Sequence, residues 1–271
     1  MRFRTIRHGR CDSTNQRALE ALESGQARHG DVHVATEQTS GRGRLGRRWH
    51  SAPGQGLYLS VVLAPAGPAA AALPLCLTMA GGLAVLDLAR GLGLAAAQLK
   101  WPNDVLVAGA KLSGVLVESR GFDPRAPSFV LGIGINVAQR DFPAELTAER
   151  SVTSLWLCGV RSGLDAVEAA LLERLAGLLG AALGGPLDRD RLAARFAQEL
   201  GLLGRRVTVE RGARRESGRL LELTLEHLEL EGPAGRERIP LAHVSGLAAE
   251  PSGGAPPEGA VAGMGPWVCG P

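Results

Sequence analysis

Lysine is almost missing from this chain. Of its thirty basic residues only Lys100 and Lys111 are lysine, and the rest are arginine. A GC-rich genome is a sufficient cause, since the chain is also heavy in alanine, glycine, leucine and proline. Where composition removes lysine nearly everywhere, however, the survivors are expected where a compact ammonium serves and a planar guanidinium fork does not. Both lie in one short segment. Long apolar runs are lacking too. The longest, Leu73 to Ala89, is broken by Gly81, Gly82 and Asp87, short of the roughly 18 uninterrupted residues a bilayer span needs. The basic start, MRFRTIRHGR, has no apolar stretch behind it, so no secretory signal is expected. The four cysteines (Cys11, Cys76, Cys158, Cys269) are scattered, without CxxC or zinc spacing, which suits a reducing, cytoplasmic setting. A net charge of +3 is too small to demand a nucleic-acid partner.

What is present is an ordinary globular composition, 45% apolar and 21% charged over 271 residues, enough for one large domain with a small one beside it. Ser13 and Thr14 are expected to cap a helix reaching about Ser24, with Leu19 and Leu22 inward. DVHVATEQ alternates like a strand and leads into TSGRGRLGRRWHS; GLYLSVVLA is a second strand, and Pro74 opens an apolar helix to about Arg90. QLKW, DVLV, KLSGVLVE and SFVLGIGINV read as further strands, followed by helices over 164–183 and 187–200. After Gly204 the texture turns to four or five short alternating strands, the size of a small barrel. The tail from 249 is rich in Gly and Pro and is expected to be disordered. The reading is an α+β main domain (1–203) with a mixed sheet flanked by helices, a small β-barrel (204–248), and a tail (249–271).

Two segments carry chemistry. In Gly41-Arg42-Gly43-Arg44-Leu45-Gly46-Arg47-Arg48-Trp49, glycines let backbone N–H groups approach a ligand and four arginines supply forks for phosphate or carboxylate. No GKS/T ending marks it as a P-loop. A basic segment touching nucleic acid is the competing reading. The second is Lys100-Trp101-Pro102-Asn103-Asp104, with Lys111-Leu112-Ser113-Gly114 close behind. A turn between strands would gather Lys100, Asn103, Asp104 and Lys111 at one sheet end. There a lysine can offset negative charge growing during acyl transfer, and an aspartate can hold Mg²⁺ or orient an amine. A hairpin-stiffening Lys–Asp ion pair would use the same residues.

Asp12-Ser13-Thr14-Asn15, Glu37-Gln38-Thr39, the GRGRLGRRW loop, KWPND, KLSGVLVE and Gly132-Ile133-Gly134-Ile135-Asn136 stand in the order and spacing of the biotin–protein ligase family, which this chain resembles over residues 10–140. The resemblance implies a class II synthetase-like main domain and an SH3-like C-terminal barrel. It also implies an enzyme that joins biotin to AMP with ATP and Mg²⁺. Biotin then passes to a lysine of a biotin carboxyl carrier protein of acetyl-CoA or pyruvate carboxylase. By the same resemblance Ser13, Thr14 and Gln38 hold the ureido head, with backbone at Gly41, Arg42 and Gly114. Arg42 and Arg44 hold the adenylate phosphate. Trp49 packs on adenine, whose edge Asn103 and Asn136 read. Lys111 binds the activated carbonyl and phosphate oxygens, and Asp104 assists the acceptor amine or a Mg²⁺ ion. Asn15 matches the motif but is assigned a capping role.

Lipoate–protein ligases and octanoyltransferases resemble the same fold, but lack the Gly-Arg-Gly-Arg loop and bind ligands with no ureido head. A nucleic-acid module built on the arginine loop would leave KWPND and KLSG unexplained. Many biotin ligases also carry an N-terminal winged helix-turn-helix and repress biotin-synthesis genes. Few residues precede Asp12 here, so a ligase without a repressor role is expected, with no membrane partner and dimerisation left open. A gel shift on biotin-operon promoter DNA should show no specific complex; a tight, sequence-selective complex would contradict that expectation.

Overall fold

The computed structural model describes residues 1–66, 71–120, 123, 125–233 and 235–250. In chain order its elements are β1 (Arg4–Cys11), α1 (Thr14–Glu23), β2 (Asp31–Gln38), β3 (Gly56–Leu63), α2 (Leu73–Gly91), β4 (Ala97–Lys100), β5 (Asp104–Val107), β6 (Ala110–Glu118), β7 (Phe129–Asn136), α3 (Ala144–Glu149), α4 (Leu164–Leu183), α5 (Pro186–Leu200), β8 (Arg206–Arg211), β9 (Arg214–Leu223), β10 (His227–Gly232), β11 (Gly235–Pro240) and β12 (Gly246–Ala249). The first seven strands form one mixed sheet in the order β1-β2-β3-β7-β6-β5-β4. Only the β1–β2 pair is parallel.

Period-2 alternation sorts this sheet into two faces. On β7, Phe129, Leu131, Ile133 and Ile135 join the main core, whereas Val130 packs with Ala18 and Leu19 of α1 on the other side. Gly132, Gly134 and Asn136 share that second face by the same alternation. α2 lies on the first face. It is apolar around its whole circumference because the sheet, α4 and α5 cover it from all sides. Although α2 is long and apolar enough to cross a membrane, most of it is buried inside the protein. The helix therefore runs through Gly81 and Gly82 rather than stopping at them. Gly81 lets it approach β6, since a methyl there would stand 2.9 Å from Val115 Cγ1.

The last five strands make an antiparallel sheet in the order β11-β10-β9-β8-β12. Its apolar residues, among them Val207, Val209, Leu220 and Leu228, belong to the same core as those of the main sheet, together with Leu200 and Leu202. Strand β12 runs through Ala249, which pairs with Val207, and Glu250 N donates to Arg206 O at 3.0 Å. The ordered chain thus passes the expected boundary at 248. From 251 onward the expected tail, with Trp267 and Cys269, lies outside the described residues.

Strand β1 was not legible in the sequence, because RTIRHGRC carries no apolar alternation. Polar side chains hold it instead. Arg4 grips the buried carboxylate of Asp31 with two hydrogen bonds, from Nε at 2.7 Å and Nη2 at 2.6 Å. His8 Nε2 lies 3.0 Å from His33 Nδ1 on β2. Burial, and secondarily His8, push the His33 imidazole down to about 4. A histidine held neutral in the fold but free to protonate when unfolded adds stability above its unfolded pKa of about 6.5. That stability drains away as pH falls from about 6.5 toward 4. Denaturation midpoints across this window should fall in wild type and flatten in His33→Gln; equal slopes would contradict the assignment.

Candidate active site

A cavity of about 530 Å³ opens on the α1 side of the main sheet. Its walls come from the start of α1, the arginine loop, the β4–β5 turn, β6, β7 and the edge of the second sheet. Ser13, Thr14, Gln38, Arg42, Arg44, Trp49, Asn103, Asp104, Lys111 and Gly114 all line it, so residues read from distant motifs meet around one space.

At one end, Gln38 Oε1 accepts from Thr14 N at 2.8 Å and Thr14 Oγ1 at 3.1 Å, and Gln38 Nε2 donates to Ser51 Oγ at 2.9 Å. Ser13 sits at the N-cap of α1 with extended backbone, yet its hydroxyl makes no cap bond. The expected capping role of Ser13, Thr14 and Asn15 is therefore corrected. Thr14 turns to Gln38, and Asn15, only 4% exposed, faces Ser60 and Glu118.

At the other end the KWPND turn sets Lys100 directly across from Asp104. Asn103 Nδ2 donates to Val115 O at 2.6 Å, tying the turn to β6. Lys111 Nζ stands 2.7 Å from Asp104 Oδ1, with its side chain 14% exposed. The contact is a short ion pair that holds the ammonium against the carboxylate. Burial lowers the Lys111 ammonium below the ordinary lysine range; Asp104 opposes the shift, and Arg150 and Lys100 add to it. Arg44 is lowered likewise by burial and supported by Asp104. Two cations thus share one partly buried carboxylate.

Trp49 lies across bare backbone. A methyl at Gly134 would come 2.5 Å from its Cε2, and one at Gly114, the cross-strand partner of Gly134, 3.2 Å from its Cζ3. Lys111 Nζ is 5.5 Å from the indole centroid, within cation–π range. The loop before Trp49 is tied at its base by Trp49 N donating to Gly41 O at 2.9 Å and Gly43 N to Arg47 O at 2.7 Å. At its tip Leu45 is 85% exposed with φ 56, a conformation non-glycine residues seldom adopt. Arg42 Nε and Nη2 and Trp49 Nε1 find no hydrogen-bond partner among the described residues. Buried donors without partners are costly, so these three are the groups a bound anion or base edge would satisfy.

Two candidates stand outside the cavity lining. Asn136 is buried and donates to Thr153 O at 2.9 Å and toward Lys111 O at 3.4 Å, so it fixes the strand that carries Lys111. Gly41 lies beneath the loop, where a side chain would strike Trp49 O and Ser51 Oγ. Sequence reasoning also missed residues. Glu118 ends the KLSGVLVE motif, and Gly132 and Gly134 alternate in GIGIN, so these left a trace. Ser60, Arg150 and the second-sheet rim (Thr208, Glu210, Ser245 to Ala248) left none. The group with metal-ligating spacing among the described residues, Glu222–His227–Glu229, is in the second sheet and includes no cavity residue.

If Trp49 seats the loop by lying on glycine, unseating it should free the loop. Gly134→Val should speed tryptic cleavage after the loop arginines while leaving the denaturation midpoint nearly unchanged. Unaltered cleavage would contradict the seating.

With the geometry in view, comparison with known proteins is specific. Residues 9–136 match the model of the biotin/lipoate A/B protein ligase family. The bifunctional ligase/repressor BirA of Escherichia coli is 37% identical over 190 residues, 70% of this chain and 50% of that protein. The biotin--[acetyl-CoA-carboxylase] ligase of Mycobacterium tuberculosis is 36% identical over 195 residues, 69% of this chain and 59% of that one. The chain spans about half the length of the curated relatives it matches. Among solved structures, the Aquifex aeolicus biotin protein ligase in complex with biotin and ATP superimposes with a TM-score of 0.72 at 29% identity, covering 91% of this chain and 99% of that one. Residues 9–136, which supply most of the cavity lining, thus match the biotin/lipoate A/B protein ligase family, and the chain has a fold similar to that of biotin protein ligases.

Proposed function

We propose that this chain activates biotin with ATP and transfers it to a lysine of a biotin carboxyl carrier protein, of acetyl-CoA carboxylase or a related carboxylase such as pyruvate carboxylase. The observation that carries the proposal is the meeting of Lys111, Arg42 and Arg44 around one cavity whose far end is built from Ser13, Thr14 and Gln38. A neutral ureido head with donors and acceptors suits the polar end, and an acyl-phosphate suits the cationic one.

In the first half-reaction a carboxylate oxygen of biotin attacks the α-phosphorus of ATP. The bond to pyrophosphate breaks, leaving biotinyl-5'-AMP. Lys111 and Arg42 would hold the oxygens on which charge accumulates, their effect magnified by partial burial. In the second, the acceptor amine attacks the acyl carbon, the C–O bond to AMP breaks, and the amine gives up a proton. Asp104, beside Lys111, would receive or orient that amine. Trp49 would stack on adenine. The arginine loop would close over the anhydride and exclude water, which otherwise hydrolyses it. Mg²⁺ fits as a companion of the nucleotide. Asp104 offers one carboxylate already facing Lys111 and Arg44, and Mg²⁺ commonly binds one protein carboxylate with phosphates and waters. Such an ion would neutralise the departing pyrophosphate. The same reading takes the second sheet as an SH3-like barrel whose rim meets the carrier, and places the reaction in the cytoplasm.

Transfer of labelled biotin to a carrier domain, with labelled lipoate as control, tests this reading. Lys111→Ala should lose roughly 100- to 1,000-fold in adenylate formation, the scale of removing one transition-state donor. Arg42→Ala should chiefly release the intermediate early, seen as hydroxylamine-trapped biotin exceeding carrier labelling. Equal or preferred use of lipoate, or an unimpaired Lys111→Ala, would overturn the proposal.

A further inference from the structure

A continuous polar chain joins the two ends of the cavity through residues to which the proposed mechanism gives no part. Gln38 bonds Thr14. The Ser60 hydroxyl lies between Thr14 Oγ1 at 2.7 Å and Asn15 Oδ1 at 2.5 Å. Asn15 Nδ2 donates to Glu118 Oε2 at 2.7 Å, and that same oxygen stands 3.2 Å from Arg42 Nη2. Ser60 is fully buried and Asn15 nearly so. Asn15 reaches this position because Gly132 has no side chain; a Cβ there would collide with Asn15 Oδ1.

We infer that Glu118 is a positioning residue, which holds the Arg42 guanidinium at the cavity and ties its place to the Thr14–Asn15–Ser60 cluster. The inference deepens the proposed activity and rests on it. The geometry distinguishes holding from capture. Arg42 Nη2 is near the carboxylate, yet neither Nη2 nor Nε makes an aligned hydrogen bond. Charge attraction therefore fixes where the guanidinium sits while its donors stay free for a ligand. Asn15 in turn fixes Glu118, since its amide can donate to that oxygen only while Ser60 and Gly132 keep it turned inward. Ligand packing at the Thr14 end would thereby restrain the loop at the Arg42 end. Binding of biotin and closure over the phosphate would be coupled through one line of contacts.

Glu118→Gln keeps the shape and an acceptor for Asn15 but removes the charge. In ligand-free protein it should speed tryptic cleavage within residues 42–48. In turnover it should raise the ratio of hydroxylamine-trapped biotin to carrier-bound biotin by roughly 10- to 100-fold, the range of a catalytic group displaced by about 1 Å. Its denaturation midpoint should stay within about 4 °C of wild type, which reports that the variant is folded. Glu118→Asp should recover part of the loss. The double variant Glu118→Gln/Arg42→Ala should leak no more than Arg42→Ala alone. An unchanged leak and cleavage rate in Glu118→Gln, or additive losses in the double variant, would overturn the inference while leaving the ligase reading intact. A wild-type protein that forms no adenylate would instead overturn the ligase reading, and the cleavage assay would still decide whether Glu118 holds the loop.

Discussion

Positive charge gathered in a partly buried cavity is the constraint on which this structure turns. Lys111, Arg42 and Arg44 all face one space, and burial disfavours the charged form of both Lys111 and Arg44. Like charges in a poorly screened pocket repel strongly. Two carboxylates offset this at close range, Asp104 beside Lys111 and Glu118 beside Arg42. The Arg42–Glu118 contact is not an aligned hydrogen bond. The compensation holds the groups in place but leaves donors of Arg42 unsatisfied. A site in that condition is complementary to an anion, and most of all to one that bears its charge at the middle of the cavity.

The fold supplies the rest by exposing backbone. β6 and β7 place Gly114, Gly132 and Gly134 on the cavity side, and their missing side chains are filled by Trp49 and Asn15. The opposite face of the same strands is closed by α2. A well-covered reverse side makes the bare floor affordable. Rigidity comes from the core, while the loop that carries Arg42 and Arg44 is tied mainly at its base and bears an exposed Leu45 at its tip. The site is thus half strand and half loop, a division suited to a ligand that must be enclosed and later presented.

Much of this could be read from residues alone. Strand β2 announces itself by alternation and β3, β6 and β7 by short apolar runs between turn residues, and the two lysines and the arginine run mark the segments that converge. What stayed hidden has physical reasons. β1 is held by Arg4–Asp31 and the His8–His33 contact, which no periodicity encodes. Asn136 carries a motif position but spends its amide on backbone carbonyls at Thr153 and Lys111. Asn15 and Ser60 are small polar residues whose roles depend on a Gly132 far along the chain. The rim formed by Thr208, Glu210 and Ser245 depends on how the second sheet sits against the first, a tertiary fact without a local signal.

The central claim is that the pooled cations exist to grip a phosphate joined to an acyl group. The most direct measurement compares two non-reactive analogues of biotinyl-5'-AMP, one with a charged phosphodiester and one with a neutral linkage of the same length. Calorimetry should show the charged analogue binding wild type at least roughly tenfold more tightly, about one charge-assisted hydrogen bond, with the gap closing in Lys111→Ala. Equal affinity for the two analogues in wild type would contradict the account.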